Sequence, residues 1–296
     1  MQRTPRGLRE DLEARLAQLE QRAPEWRSWL DLLRETVQAG ADPIWDDALG
    51  APGFAAEPGR VTPLLEGAVL QVEARQVRDL AMRLAGAAGE RGGLDQYRPG
   101  DEESLELLGA TLRQDAAALE ALSRAAGVEG GALGTVAHLV AWPVLQACGR
   151  RLAEHVPPDW RQGFCPICGA WPTVAELRGL ERSRRLRCGW CAADWELPWL
   201  WCAFCGERRH EHVGSLVPLG PHDGRKIETC EECRGYLKTL ITLEAMTPLG
   251  VLLSDLETVE LDLIARERGW SRPPGPGHAL QLRIEPRPAR RVSPPS

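Results

Sequence analysis

A chain of 296 residues, 43% apolar and 26% charged, is long enough for two folded domains and has the balance of a globular protein. Its formal net charge of -6 excludes general attraction to phosphate backbones, which depends on many Lys and Arg contacts, so nucleic acid is not the expected partner. Met1 to Arg6 lead straight into a polar helical pattern without the apolar core of a signal peptide. No uninterrupted run of about 18 apolar residues suggests a membrane span. The Arg-Arg pairs at 184, 208 and 290 lie too far along the chain for a twin-arginine export signal, and the expected location is the cytoplasm.

Residues 1–157 read as an α-helical bundle. Leu12, Leu16, Leu19, Trp26, Leu30, Leu33 and Val37 recur at helical steps, with Pro24 dividing the stretch into two helices. Pro43, Pro52 and Pro58 mark a loop from Asp42 to Arg60, and a helix is predicted from about Pro63 to Ala88. After Gly89, Gly92, Gly93 and Pro99, the acidic start Asp101-Glu102-Glu103 predicts a helix reaching Ala126, followed by another from about Gly131 to His155. Cys148 lies in an apolar helical run and reads as an inert core thiol.

Composition changes at Pro157-Pro158. Six of the eleven tryptophans and eight of the nine cysteines fall between Trp160 and Cys233, interleaved with β-prone runs such as Trp195 to Trp201. Four C-x-x-C pairs follow in order: Cys165 with Cys168, Cys188 with Cys191, Cys202 with Cys205, and Cys230 with Cys233. Two cysteines three apart on a tight turn can aim both sulfurs at one ion, and Gly169 and Gly206 suit the left-handed residue that such a turn needs. Two turns of this kind close a tetrahedral site. Sequential pairing gives one site from Cys165, Cys168, Cys188 and Cys191, and another from Cys202, Cys205, Cys230 and Cys233; a cross-braced pairing is the competitor.

Disulfides conflict with the cytoplasmic reading, and a thioredoxin-like dithiol would need a βαβ setting that is missing. All-thiolate sites take zinc or a single iron and leave no open position, so hydrolytic metal catalysis is disfavoured; no catalytic residues are assigned and the chain is read as no enzyme. His210, His212 and His222 read as exposed loop residues rather than ligands. Tryptophans 171, 190, 195, 199 and 201 serve either as contact anchors or as ribbon core. Arg178, Arg182, Arg184, Arg185 and Arg187 form a basic cluster that a nucleic-acid-binding zinc ribbon would use, although a solvated hairpin is the commoner meaning.

Thr247 and Pro248 provide an N-cap and first-turn proline for a helix over 247–270, whose apolar face needs a partner. Residues 271–296 contain seven prolines and are predicted to be a disordered tail.

Cys-Pro-Ile-Cys-Gly at 165 to 169 and Leu186-Arg187-Cys188-Gly189-Trp190-Cys191 resemble the formate dehydrogenase accessory protein family, FdhE, as do Cys202-Ala203-Phe204-Cys205 and Glu228-Thr229-Cys230-Glu231-Glu232-Cys233-Arg234-Gly235-Tyr236-Leu237-Lys238. The resemblance covers roughly residues 160–272. It implies an α+β chain, a helical bundle followed by two rubredoxin-like or zinc-ribbon modules at 158–200 and 201–246 and a C-terminal helix, with iron bound in some members. It also implies a partner, the catalytic subunit of a formate dehydrogenase, handled in the cytoplasm before export. A homodimer is compatible with the sequence.

Overall fold

The computed structural model describes residues 5–50, 59–217 and 224–287, with side chains from residue 13 onward and excepting residue 91. The chain divides into two compact units, each discontinuous in sequence. One gathers Met1–Leu30, Phe54–Leu64 and Gly149–Ala279, and the other Asp31–Gly53, Leu65–Cys148 and Leu280–Ser296.

The second of these is mainly helical. Helix α1 (Pro5–Arg22) belongs to the other unit, and α2 (Arg27–Gly40) begins there. Strand β1 (Val69–Val72) and helices α3 (Ala74–Ala88), α4 (Asp101–Leu112) and α5 (Ala116–Ala126) lie in the helical unit, as does most of α6 (Gly130–Leu152). The helix predicted over 63–88 therefore begins only at Ala74. Its first part is a strand, because Gly67 turns the chain at φ 73° and Val69–Val72 alternate between buried and exposed positions. The helix predicted to reach Ala126 is two: Gln114 has φ 54°, and the Asp115 carboxylate caps α5 by accepting from Ala118 N at 3.0 Å. Leu80, Leu84, Leu107, Leu108, Val136 and Val140 are fully buried in this unit. The stretch Gly130–His155 has the length and apolarity of a membrane span, but 72% of its apolar 18-residue window is buried inside the protein, as a core helix is.

The tail differs most from expectation. Residues 271–287 are folded: β8 (Arg283–Pro286) pairs in parallel with β1, Val69 opposite Arg283, and Leu280 and Leu282 are buried. Alternating apolar Leu280, Leu282 and Ile284 supply the buried face that the proline count obscured. The remainder of the predicted tail, 288–296, lies outside the described residues.

The cysteine-bearing unit is built on one six-stranded sheet in the order β4-β3-β2-β7-β6-β5. Its strands are β2 (Val174–Arg178), β3 (Ser183–Arg187), β4 (Asp194–Glu196), β5 (Val213–Leu216), β6 (Lys226–Cys230) and β7 (Tyr236–Thr242). Within each half the neighbours are antiparallel, and the halves join by a parallel β2–β7 ladder with Val174 opposite Lys238. The two ribbon modules expected at 158–200 and 201–246 are thus halves of one sheet rather than separate domains. The strand expected over Trp195–Trp201 ends at Glu196, and Leu200 has φ 62°.

The helix expected over 247–270 breaks into α7 (Pro248–Glu257) and α8 (Val259–Glu267). Thr247 caps α7 as anticipated, accepting from Gly250 N at 3.0 Å. The break at Thr258 has a cause in β7. Lys238 is fully buried, and its Nζ donates to the Asp255 carbonyl at 2.6 Å, taking a carbonyl that a continuous helix would use. The same ammonium pairs with Asp255 and Asp262, each at 2.7 Å, and Arg272 and the Tyr236 hydroxyl complete the network on Asp262. Leu261, Ala265 and Trp270 pack on Ile227 and Tyr236, so the partner of this helical face is the second half of the sheet. Arg15 of α1 binds Glu257 at 2.7 Å.

Candidate metal centres

All four C-x-x-C turns share one geometry. The residue after the second cysteine is left-handed each time: Gly169 at φ 73°, Ala192 at 63°, Gly206 at 75° and Arg234 at 54°. The first cysteine's N–H closes each turn on the residue five positions on, with Cys165, Cys188, Cys202 and Cys230 donating to the carbonyls of Ala170, Ala193, Glu207 and Gly235 at 2.8 to 3.0 Å. Strands β3 and β6 deliver the second turn of each half, Cys188 immediately after β3 and Cys230 at the end of β6.

These turns gather the cysteines in sequential fashion. The sulfurs of Cys165, Cys168, Cys188 and Cys191 form one cluster and those of Cys202, Cys205, Cys230 and Cys233 another, all within 4.8 Å in each. Cys165 and Cys191 sulfurs stand 3.4 Å apart and Cys168 and Cys188 3.5 Å; in the second cluster both corresponding pairs are at 3.7 Å. Such distances are far beyond a disulfide bond of about 2.05 Å. They are near the spacing of roughly 3.8 Å that four sulfurs have around a tetrahedral ion with metal–sulfur bonds of about 2.3 Å. Backbone N–H groups already point at sulfur: Ile167 N donates to Cys165 Sγ at 3.4 Å and Phe204 N to Cys202 Sγ at 3.4 Å.

The protonation of the clusters makes the same case. Hydrogen bonds to Cys165 and Cys188 push the Cys168 thiol well above its ordinary range, and burial does the same to Cys191. Burial also opposes ionisation of Cys188, yet hydrogen bonds from Cys165, Cys168 and Cys191 outweigh it and hold this one group low. In the second cluster burial raises Cys202 and Cys233, the latter to about 11, while N–H groups of Cys233 and Glu232 outweigh burial at Cys230 and lower it. Without a cation each cluster thus favours one thiolate beside two thiols that resist ionisation. A thiophilic cation is what allows all four to ionise together, and the donor set suits zinc or iron.

Other residues singled out from the sequence find different places. Four of the five clustered arginines face their own sheet, whereas Arg182 is exposed. Arg178 and Arg187 neutralise the fully buried Glu176, Arg184 pairs with Glu228 at 2.7 Å, and Arg185 binds Asp194. His210 is exposed beside Glu211, and His222 lies outside the described residues. His212 stands 3.5 Å from both Glu207 and Glu232, whose carboxylates Arg209 also binds, so these residues tie the third turn to the fourth. Trp195 is buried, with its indole donating to Gln162 O at 3.1 Å, whereas Trp199 is exposed under Lys226. Cys148 is buried and not disulfide-bonded. Sequence reasoning overlooked the Lys238 network; a lysine two residues after an aromatic in a strand gave no sign that it would be buried.

A helical unit and a sheet carrying two four-cysteine clusters define an α+β protein with zinc-ribbon-like metal modules. No protein-family model matches the chain. It is 40% identical over 115 residues to the Protein FdhE homolog of Stutzerimonas stutzeri and 32% identical over 114 residues to that of Aquifex aeolicus. Each match covers 38% of this chain, and 36% and 40% of those relatives, so the aligned part is well under half of either protein. The crystal structure of the FdhE protein from Pseudomonas aeruginosa superposes with a TM-score of 0.57 at 23% identity, covering 90% of this chain and 94% of that one. The resemblance read from the cysteine segment is borne out: the chain is FdhE-like in sequence over more than a third of its length and in fold over nine-tenths of it.

Proposed function

We propose that this chain is an accessory protein for formate dehydrogenase, binding the immature catalytic subunit in the cytoplasm without performing catalysis itself. The observation that carries this reading is the pair of closed four-cysteine clusters on one sheet within an FdhE-like fold. Cys165, Cys168, Cys188 and Cys191 would hold one metal, and Cys202, Cys205, Cys230 and Cys233 a second. Four thiolates around an ion leave no position for substrate, which favours structure, sensing or one-electron chemistry over hydrolysis. Iron would add a redox link to maturation; zinc would make the sites structural.

A nucleic-acid-binding ribbon is the less supported alternative. The guanidinium groups of Arg178, Arg184, Arg185 and Arg187 are committed to Glu176, Glu228 and Asp194, which removes most of the cluster from phosphate recognition. Anaerobic purification with metal analysis, joined to affinity capture using a formate dehydrogenase catalytic subunit, tests the proposal. About two metals per chain and capture of that subunit support it; retention of nucleic acid in place of the subunit contradicts it.

A further inference from the structure

The two clusters share ligand number, spacing and turn geometry, and differ in access. All four cysteines of the first are buried, at 0 to 2% exposure. Chain from three distant places lies over its turns. Leu64 N donates to Pro166 O at 2.8 Å, and His278 N to Gly169 O at 2.9 Å. Gly149 stands so close to Cys191 that a methyl group there would overlap the Cys191 carbonyl. In the second cluster Cys202 and Cys230 are buried, but Cys205 and Cys233 are exposed.

We propose that the second four-cysteine site is a metal-exchange site, where a zinc-like or iron(II)-like cation enters and leaves the folded chain through the face carrying Cys205 and Cys233, while the first site keeps its metal. Ligand exchange at a thiolate centre proceeds one bond at a time. An incoming donor takes up a position on the metal, and a thiolate lets go and picks up a proton from solvent. The metal departs bound to the incoming donor, and no electron is transferred. A thiolate on an exposed residue can take the first such step with little movement of the chain, whereas a site whose four cysteines are all buried cannot.

The second half of the sheet is also built to survive the loss of its ion. Glu231 N donates to His212 O at 2.8 Å, and Arg209 reaches both Glu207 on the third turn and Glu232 on the fourth. The β5–β6 and β6–β7 ladders hold the fourth turn from the other side, and the Lys238 network anchors β7. An emptied second site thus keeps its two turns together, ready for reloading.

This inference rests on both clusters holding metal, as proposed above. The test challenges the two-metal protein with the chromophoric chelator 4-(2-pyridylazo)resorcinol in the presence of iodoacetamide, and maps alkylated cysteines as release proceeds. One equivalent is expected to leave at least about tenfold faster than the other, with Cys205 and Cys233 alkylated in that phase. Cys205→Ser should remove the fast equivalent and preserve the slow one. Should that variant fail to fold, the alkylation map of the unaltered protein decides alone. Release of both metals in a single phase, or early alkylation among Cys165, Cys168, Cys188 and Cys191, overturns the exchange proposal. A purified chain that never carries two metals contradicts the metal reading instead, and is recognised by stoichiometry before chelator is added.

Discussion

The two halves of the cysteine sheet use the same turn four times and secure it by different means. Around the first cluster the security is overlay added to charge: segments from residues 64, 149 and 278 meet the turns directly, and the buried Glu176 is paired with Arg178 and Arg187. Around the second it is electrostatic: Lys238, Asp255, Asp262 and Arg272 fasten β7 to α7 and α8, and Arg209 with two glutamates links the turns. A shared ligand motif therefore fixes the turn without fixing what surrounds it. Those surroundings come from segments remote in sequence.

The comparison breaks most visibly if the first cluster is dispensable. Structural thiolate sites contribute on the order of 10 kcal/mol to small metal domains. Cys188→Ser should accordingly leave the chain insoluble or without a cooperative thermal transition, whereas Cys205→Ser should retain one; equal behaviour of the two variants in thermal melts would remove the distinction. Next in size is the network of the second half. Lys238→Ala removes the fully buried cation from Asp255 and Asp262, leaving them to Arg272 and Tyr236, and is expected to cost about 3–5 kcal/mol, read from denaturant unfolding. A loss below about 1 kcal/mol would show that the network is not what holds the helices.

Acidity sharpens the same contrast. Burial opposes ionisation of Asp262, but Arg272, Lys238 and Tyr236 together outweigh it and keep its pKa below the usual carboxylate value. The stability this gives is present above about pH 4 and is lost as pH falls through the lowered folded pKa. Asp262→Asn should lower the melting temperature at neutral pH and make it less sensitive to acid than in the unaltered chain. Acid release of metal is common to both proteins, so the difference in slope isolates the carboxylate; identical slopes would contradict its role. The smallest effect concerns the turn itself. Ala192 has φ 63°, the left-handed position that Gly169 and Gly206 fill elsewhere, so Ala192→Gly should stabilise the chain by up to about 1 kcal/mol in the same unfolding measurement.

Much of the candidate site was legible because its determinants are local. Cysteines three apart, Gly169 and Gly206 just past the turn, and Thr247 before Pro248 each state their geometry within a few residues, and the sequential grouping is the one the structure adopts. What remained hidden is non-local. Nothing near Val174 announces a parallel neighbour at Lys238, and a tail with seven prolines conceals the alternation of Leu280, Leu282 and Ile284 that places β8 beside β1. The arginines between the first two turns read as an open basic patch until the sheet sets Glu176, Asp194 and Glu228 against them. Gln114 breaks a helix with neither glycine nor proline, because Asp115 supplies the cap of the next one.

The most direct test of the account is metal stoichiometry joined to X-ray absorption on anaerobically purified protein. Two metals per chain, each surrounded by four sulfur atoms at about 2.3 Å, are predicted. One metal per chain, nitrogen or oxygen in the first coordination sphere, or disulfides in place of thiolates would contradict it.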